Sequence, residues 1–420
     1  MKPWARAGLL AGLGLLAAYS SYRIVAHRLA DVAATDRPED ALAWIPGHPT
    51  ALLALANRQL RAGDREAAVA TATRLRQAAP LEGGALRILA QAADAAGDAS
   101  RARDLYVQAV ALRPRDVPSR AWLAHDDLES RRYPQALDQF DLILRVSPGL
   151  ARTLLPAMAQ LSADPGFVEA LVPVLARQPS WRSAFLLELW RSPYPQAAAA
   201  VMGGLGRAHA LAPQEHAQWV EELLRQGQWS LAYAHWAGTL PAGARLTPVY
   251  NGGLDQVPEG RGFDWRLPAL PGVTVTFEPA AGAAGQAARI EFRGRPAAQA
   301  GLEQALLLAP GRYQLQVRIR SDDLRSDRGL EWVVECAPHR RELGHSDRLV
   351  GNSGWTTLRA SIDVPEDCQG QWLRLRNPAP PGPAQSISGR VWIDEVRIDP
   401  LPAAAPGARA ASPPVAGLQP

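Results

Sequence analysis

The spacing of apolar positions divides the 420-residue chain into two halves. Up to about residue 241 they recur every three or four residues, as in Leu154, Met158, Leu161, Val168, Leu171 and Leu175, which is the signature of amphipathic helices. Beyond Pro241 the period falls to two. Val273–Phe277, Arg289–Arg293, Leu315–Arg320, Thr357–Ile362, Trp372–Arg376 and Val391–Ile398 alternate strictly, with Gly, Pro, Asn and Asp between them. Short half-buried strands punctuated in this way predict an antiparallel β-sandwich over residues 247–400.

The helical half carries a longer repeat. Prolines stand at 46, 80, 114 and 148, each 34 residues from the last. In the same phase lie Leu55-Ala56, Leu89-Ala90 and Leu123-Ala124. Gly63-Asp64 and Gly97-Asp98 mark the turns, with Arg131-Arg132-Tyr133 in the third unit. Ala68, Ala102 and Ala136 share one position, and Ala72, Tyr106 and Phe140 another. Small residues let two helices cross closely, the turn reverses the chain, and proline ends the second helix. Residues 49–150 therefore resemble three consecutive tetratricopeptide repeats. Gln226-Gly227-Gln228-Trp229 with Ala232 and Trp236 extends the pattern in degenerate form over 151–241, and Ala34, Ala41 and Trp44 fit a linker and half repeat over 30–48. The fold class expected is multidomain α + β: an all-α, tetratricopeptide-like helical solenoid followed by an all-β, jelly-roll-like sandwich.

Each resemblance implies a surface. Tetratricopeptide repeats bind protein partners on the face made by their first helices. By phase that groove carries Asn57, Arg61, Arg87, Gln91, Asp94, His125 and Glu129, the other reading being a solvated polar face. In the second half, Asn251-Gly-Gly-Leu-Asp255 with Phe263-Asp-Trp265, and Gly389-Arg-Val-Trp-Ile-Asp394, resemble the opening and closing strands of jelly-roll carbohydrate-binding modules. That resemblance implies a weak candidate site for structural calcium at Asp255 and Asp394, with no other cofactor. Parity turns Leu373 and Leu375 inward and Trp372, Arg374 and Arg376 outward, together with Arg318, Arg320, Arg359, Arg289 and Arg293. An aromatic plate beside arginines can stack a sugar and pair with its carboxylates, so these residues form the candidate glycan face. An Arg/Glu ladder, or a face covered by the helices, is the alternative.

The amino end changes the expected setting. Ala7 to Tyr22 are sixteen uncharged residues between Arg6 and Arg23. Residues 1–29 are expected to be a signal anchor, with a cleaved signal peptide ending near Ala18-Tyr19-Ser20 as the alternative. This places the protein in the inner membrane as a single-pass chain with its bulk in the periplasm. The Ala/Pro-rich stretch 401–420 is expected to be a disordered tail.

Composition mainly excludes. Basic residues number 45 against 41 acidic, which makes no basic stripe for nucleic acid. Lys2 is the only lysine, so Walker-type phosphate loops, Schiff bases and kinase ion pairs are out. There is no HExxH, GxSxG or strand-borne GxGxxG. Cys336 and Cys368, the only cysteines, lack metal spacing and are either a disulfide or two buried thiols. The expected function is a non-enzymatic scaffold or adaptor of the bacterial cell envelope, accessory to surface-polysaccharide assembly or export. The alternatives are a lectin-like glycan binder with the solenoid as spacer, and an envelope glycosidase without a sequence signature.

Overall fold

The computed structural model describes residues 3–402. Within them fourteen α-helices precede nine β-strands, and the chain forms two compact units that divide between Leu211 and Ala212.

The first unit opens with α1 (Pro3–Ala33) and α2 (Pro38–Trp44) and continues in helical hairpins. These are α3 (Pro49–Arg61) with α4 (Arg65–Ala78), α5 (Gly83–Ala95) with α6 (Ala99–Leu112), and α7 (Val117–Glu129) with α8 (Tyr133–Val146). Next come α9 (Ala151–Leu161) with α10 (Pro165–Ala176), and α11 (Arg182–Arg191) with α12 (Pro195–Arg207). The result is a helical solenoid, and the 34-residue pattern explains its joints. Gly63 and Gly97 adopt φ of 81° and 82°, a left-handed conformation that ends the first helix of a pair. Asp64 and Asp98 then cap the second helix by accepting from the N–H groups of Ala67 and Arg101. Ala56, Ala68 and Ala72 are fully buried where α3 and α4 meet α5.

The start of the solenoid corrects the expected anchor. Among the described residues no helix is long and apolar enough to cross a membrane. The sixteen-residue run is diluted by Gly, Ser and Tyr, and the helix that contains it takes in Arg6, Arg23, Arg28 and Asp31. The end of α1 is instead a packing helix, since Ala30 and Ala33 are buried with Ala34, Ala41 and Ala51. Single-pass insertion of residues 1–29, and the inner-membrane placement that rested on it, are not supported. Of the expected tail, residues 403–420 lie outside the described residues.

The second unit contains one more helical hairpin, α13 (Pro213–Arg225) and α14 (Trp229–Ala237), and the all-β sandwich. Its strands are β1 (Val273–Pro279), β2 (Gln286–Pro296), β3 (Gln299–Leu306), β4 (Gly311–Ser326), β5 (Glu331–Cys336), β6 (Arg341–His345), β7 (Ser353–Val364), β8 (Gln371–Arg376) and β9 (Ser386–Pro400). Two antiparallel sheets result, β1-β2-β9-β4-β7 and β3-β8-β5-β6. Their inner faces close on one core, including Ile290, Leu315, Val317, Trp332, Leu373 and Ile393. Trp265 and Trp332 meet edge to face at its centre, 5.9 Å between ring centroids, and the Trp265 indole N–H donates to the Asn251 carbonyl at 3.0 Å. The opening motif thereby ties itself to the core. Gly252 lies against β9, where its carbonyl accepts from Val396 N–H at 2.8 Å and a Cβ would strike the Val396 carbonyl. Cys336 and Cys368 are bonded, with their Cα atoms 5.7 Å apart.

Candidate functional site

The residues of the expected glycan face are distributed over opposite sides of the sandwich. Trp372, Arg374 and Arg376 lie on β8 in the four-stranded sheet, while Arg318 and Arg320 on β4 and Arg359 on β7 belong to the five-stranded sheet. Parity correctly turns each of them away from the core. It carries no information about which sheet a strand joins.

Around Trp372 the outer face of the four-stranded sheet is occupied by the protein itself, and beside it a cavity of about 440 Å³ is lined by Val333, Glu335, Arg340, Arg374 and Arg376. Trp372 meets Trp229 of α14 edge to face at 5.7 Å, and the guanidinium of Arg266 stands 4.8 Å from its ring centroid. Arg266 in turn pairs with Glu221 of α13 at 2.9 Å. Gly370 also lies under Trp229, where a Cβ would collide with the indole. Farther along β8, Arg374 is only 9% exposed and bridges Glu303 at 2.7 Å and Glu335 at 2.5 Å. Arg376 donates to Glu331 and Glu342, both at 2.8 Å. Burial of Glu342 opposes its ionisation, but the hydrogen bonds from His345 and Arg376 prevail and hold its carboxyl below the usual range. The face combines an Arg/Glu ladder with a helical cover over Trp372, and both cations of β8 are paired with carboxylates.

The outer face of the five-stranded sheet is organised differently. Strand register sets a row across it: Thr276 opposite Arg289, Arg289 opposite Trp392, and Trp392 opposite Arg320. Trp392 and Trp355, neither singled out by the strand pattern, supply the aromatic surface. Trp392 is 9% exposed beneath two guanidinium groups, Arg320 at 4.9 Å and Arg390 at 5.9 Å from the ring centroid, and its N–H donates to Glu278 at 3.2 Å. Trp355 is half-buried under Arg318, 4.9 Å away. Parity was the available signal, because Trp392 alternates with Val391 and Ile393, and Trp355 with Leu358 and Ala360 across the strand.

One side of the row is bounded by the loop between β1 and β2. The Trp355 indole N–H donates to the Ala281 carbonyl at 2.8 Å, Arg318 donates to that of Gly282, and Ala284 N–H donates to Asp394 at 3.1 Å. Segment 280–285, all Ala and Gly, therefore lies across the outward side of β9 and β4 as a strap. On the other side of the row Arg390 pairs with Asp322 at 2.6 Å.

The same contacts decide the calcium candidates. Asp394 is 1% exposed, receives the Ala284 N–H, and has the Arg318 guanidinium 3.5 Å away. Asp255 receives the Gln286 N–H at 3.1 Å. Hydrogen-bond donors and a fixed positive charge stand where a calcium ion needs oxygens. Among the described residues no group of three or more His, Cys, Asp or Glu is arranged to hold a metal. Asp255 and Asp394 do not fit the ion.

In the solenoid a groove of about 540 Å³ opens between α3 and α5, lined by Asn57, Arg61, Arg87 and Gln91 among others. Arg87 donates to Asn57 at 2.8 Å and to Gln91 at 3.3 Å. Arg58 at the rim pairs with Glu39 at 2.9 Å, whereas Arg61 caps only its own helix through the Asn57 carbonyl. Asp94, His125 and Glu129 do not line this groove, and the last two pair with each other at 3.3 Å.

No family model matches the sequence, and no curated protein matches it. By structure, the chain is similar to a protein described as CBM4, at 14% identity and a TM-score of 0.30, covering 36% of this chain and 99% of that one. It is similar to the CBM22-1 xylan-binding domain of Xyn10C from Paenibacillus barcinonensis at 15% identity and a TM-score of 0.25, covering 33% and 87%. It is also similar to the MamA protein at 15% identity and a TM-score of 0.27, covering 46% and 100%. At these identities and TM-scores the likenesses carry no argument about ligand or activity.

Proposed function

We propose that the chain is a non-catalytic carbohydrate-binding protein that uses the outer face of its five-stranded sheet. One observation carries this reading: Trp355 and Trp392 share that face with a cross-strand row of polar side chains, bounded on one side by the 280–285 strap. A sheet face with the half-buried Trp355 indole at one side and planar donors along the row suits a sugar chain, whose hydroxyls need hydrogen-bond partners and whose rings need apolar support. The paired and covered face around Trp372 is the internal control.

Affinity electrophoresis of the full chain through gels containing xylan, β-glucan or polygalacturonate tests it. Retardation by at least one polymer, lost in Trp355→Ala and kept in Trp372→Phe, is the expected outcome. Free migration in every gel would remove the reading.

A second reading concerns the solenoid, which resembles tetratricopeptide repeats in its 34-residue phase. Asn57, Arg61, Arg87 and Gln91 come together in one groove, where Arg87 lies 3.8 Å from Asp116 and Arg61 has no carboxylate partner among the described residues, which suits an acidic group of a protein partner. On this reading the helical half recruits a protein while the sandwich holds a glycan.

A further inference from the structure

We infer that Arg320 makes the five-stranded face selective for acidic sugars, one uronate carboxylate pairing with its guanidinium while the neighbouring row binds neutral parts of the chain. This deepens the carbohydrate reading and rests on it.

Charge satisfaction differs among the arginines of this face. On this face Arg289 lies 3.1 Å from Glu291 and 3.6 Å from Glu278, Arg318 lies 3.5 Å from both Asp394 and Glu395, and Arg390 pairs with Asp322. Arg320, like the exposed Arg312 and Arg359, forms no ion pair among the described residues, but it alone of the three is half-buried, in the middle of the same lattice. Its guanidinium carbon stands 4.9 Å from the Trp392 ring centroid, and its N–H donors have no carboxylate partner among the described residues. A half-buried cation in that state is stabilised by any anion that reaches it, and a planar fork of donors matches a carboxylate in two-point fashion.

Position decides what can bring the anion. The strap fixed by Trp355, Arg318 and Asp394 blocks approach along β4 from one side, and the Arg390–Asp322 pair flanks the other. A ligand reaching Arg320 thus runs across the strands, over Trp392 and Arg289 towards Thr276. With strands ~4.8 Å apart, that path is roughly 15 Å long, the span of about three sugar units. An extended chain bearing a carboxylate on the ring fits this track. Guanidinium groups cover the Trp392 ring, so stacking by a neutral sugar is hindered there and pairing with an anion is favoured.

The test uses one polymer with its charge switched off: polygalacturonate against its methyl ester, with alginate as a second polyuronate and polyglutamate as an acidic non-sugar, all on the full chain. The two polyuronates are expected to bind roughly tenfold more tightly than the ester. Arg320→Gln should erase that difference, Arg320→Lys should restore part of it, and the melting temperature of each variant should stay at the wild-type value. Equal binding of acid and ester, unchanged in Arg320→Gln, would overturn the inference and leave the carbohydrate reading standing. Binding of polyglutamate through Arg320 without binding of either polyuronate would overturn it in favour of an acidic peptide. Absence of binding to every polymer, the ester included, would remove both.

Discussion

The two outer faces of the sandwich use the same residue types to opposite ends. Each has a tryptophan with an arginine on its ring and a lattice of arginines and acids. On the four-stranded face every cation of β8 has a carboxylate, often two, and Trp372 is covered by Trp229 and Arg266. On the five-stranded face the half-buried Arg320, with the exposed Arg312 and Arg359, has no carboxylate partner among the described residues, and Trp355 and Trp392 lie under Arg318 and Arg320. Aromatic and arginine content alone therefore does not distinguish a binding face from a docking seam. What distinguishes them is whether the valences are already filled.

This contrast can be broken most strongly on the filled side. Arg374→Ala removes the cation between Glu303 and Glu335 and leaves two poorly solvated carboxylates facing each other. We expect a loss of about 3–5 kcal/mol in chemical denaturation, whereas Arg320→Gln should cost less than about 1 kcal/mol. Equal losses would mean that the two faces are not different in kind.

Next in size is the disulfide. The Cys336–Cys368 bond closes a loop of 32 residues, so reduction should lower stability by about 3 kcal/mol in the loop-entropy view. A reduced protein with an unchanged denaturation midpoint would contradict it. Gly370→Ala should cost roughly 1–3 kcal/mol because the new methyl meets the Trp229 indole, and the same change at the exposed Gly354, which has open space around it, should cost far less.

The smallest effect is a pH dependence confined to the helical cover. His216 and His235 lie 6.0 Å apart in α13 and α14, and Trp219 packs on His235 at 4.1 Å. Burial holds both imidazoles below their ordinary value of 6.5, and for His216 the neighbouring His235 adds to it. A histidine whose folded pKa is depressed is neutral in the fold, and the unfolded chain takes up the proton first on acidification. Stability is thus full above pH 6.5 and falls as the pH drops through that value. Melting curves at pH 7.5 and 5.5 should differ, and His216→Gln with His235→Gln should narrow the gap. A gap unchanged in the double variant would assign the dependence elsewhere.

The sequence carried the fold class and most elements because these depend on local periodicity. Proline and glycine phase located the solenoid joints, and alternation located the strands whose two faces differ. β3 lacked that signal: six of its eight residues are buried, Ala300, Leu302, Ala305 and Leu306 among them, so both sides of the strand face the interior. β6, Arg341–His345, is a short polar edge with nothing to alternate. The candidate site was legible only in part. Parity turned Arg320 and Trp372 outward correctly, but sheet membership is set by long-range pairing, β4 with β9 and β7, β8 with β3 and β5. The partners that neutralise Arg374 and Arg376 come from β3, β5 and β6, out of reach of any local pattern. Helical phase did better, bringing Asn57, Arg61, Arg87 and Gln91 to one groove because the repeat fixes neighbouring helices as well as residues.

On the proposed reading the five-stranded face, not the one around Trp372, binds a glycan. Isothermal titration of the full chain with an oligogalacturonate tests it most directly, comparing wild type, Trp355→Ala with Arg320→Gln, and Trp372→Phe. Heat of binding is expected to disappear in the double variant of the five-stranded face and to persist in Trp372→Phe. Binding that survives the double variant and is lost in Trp372→Phe would contradict it.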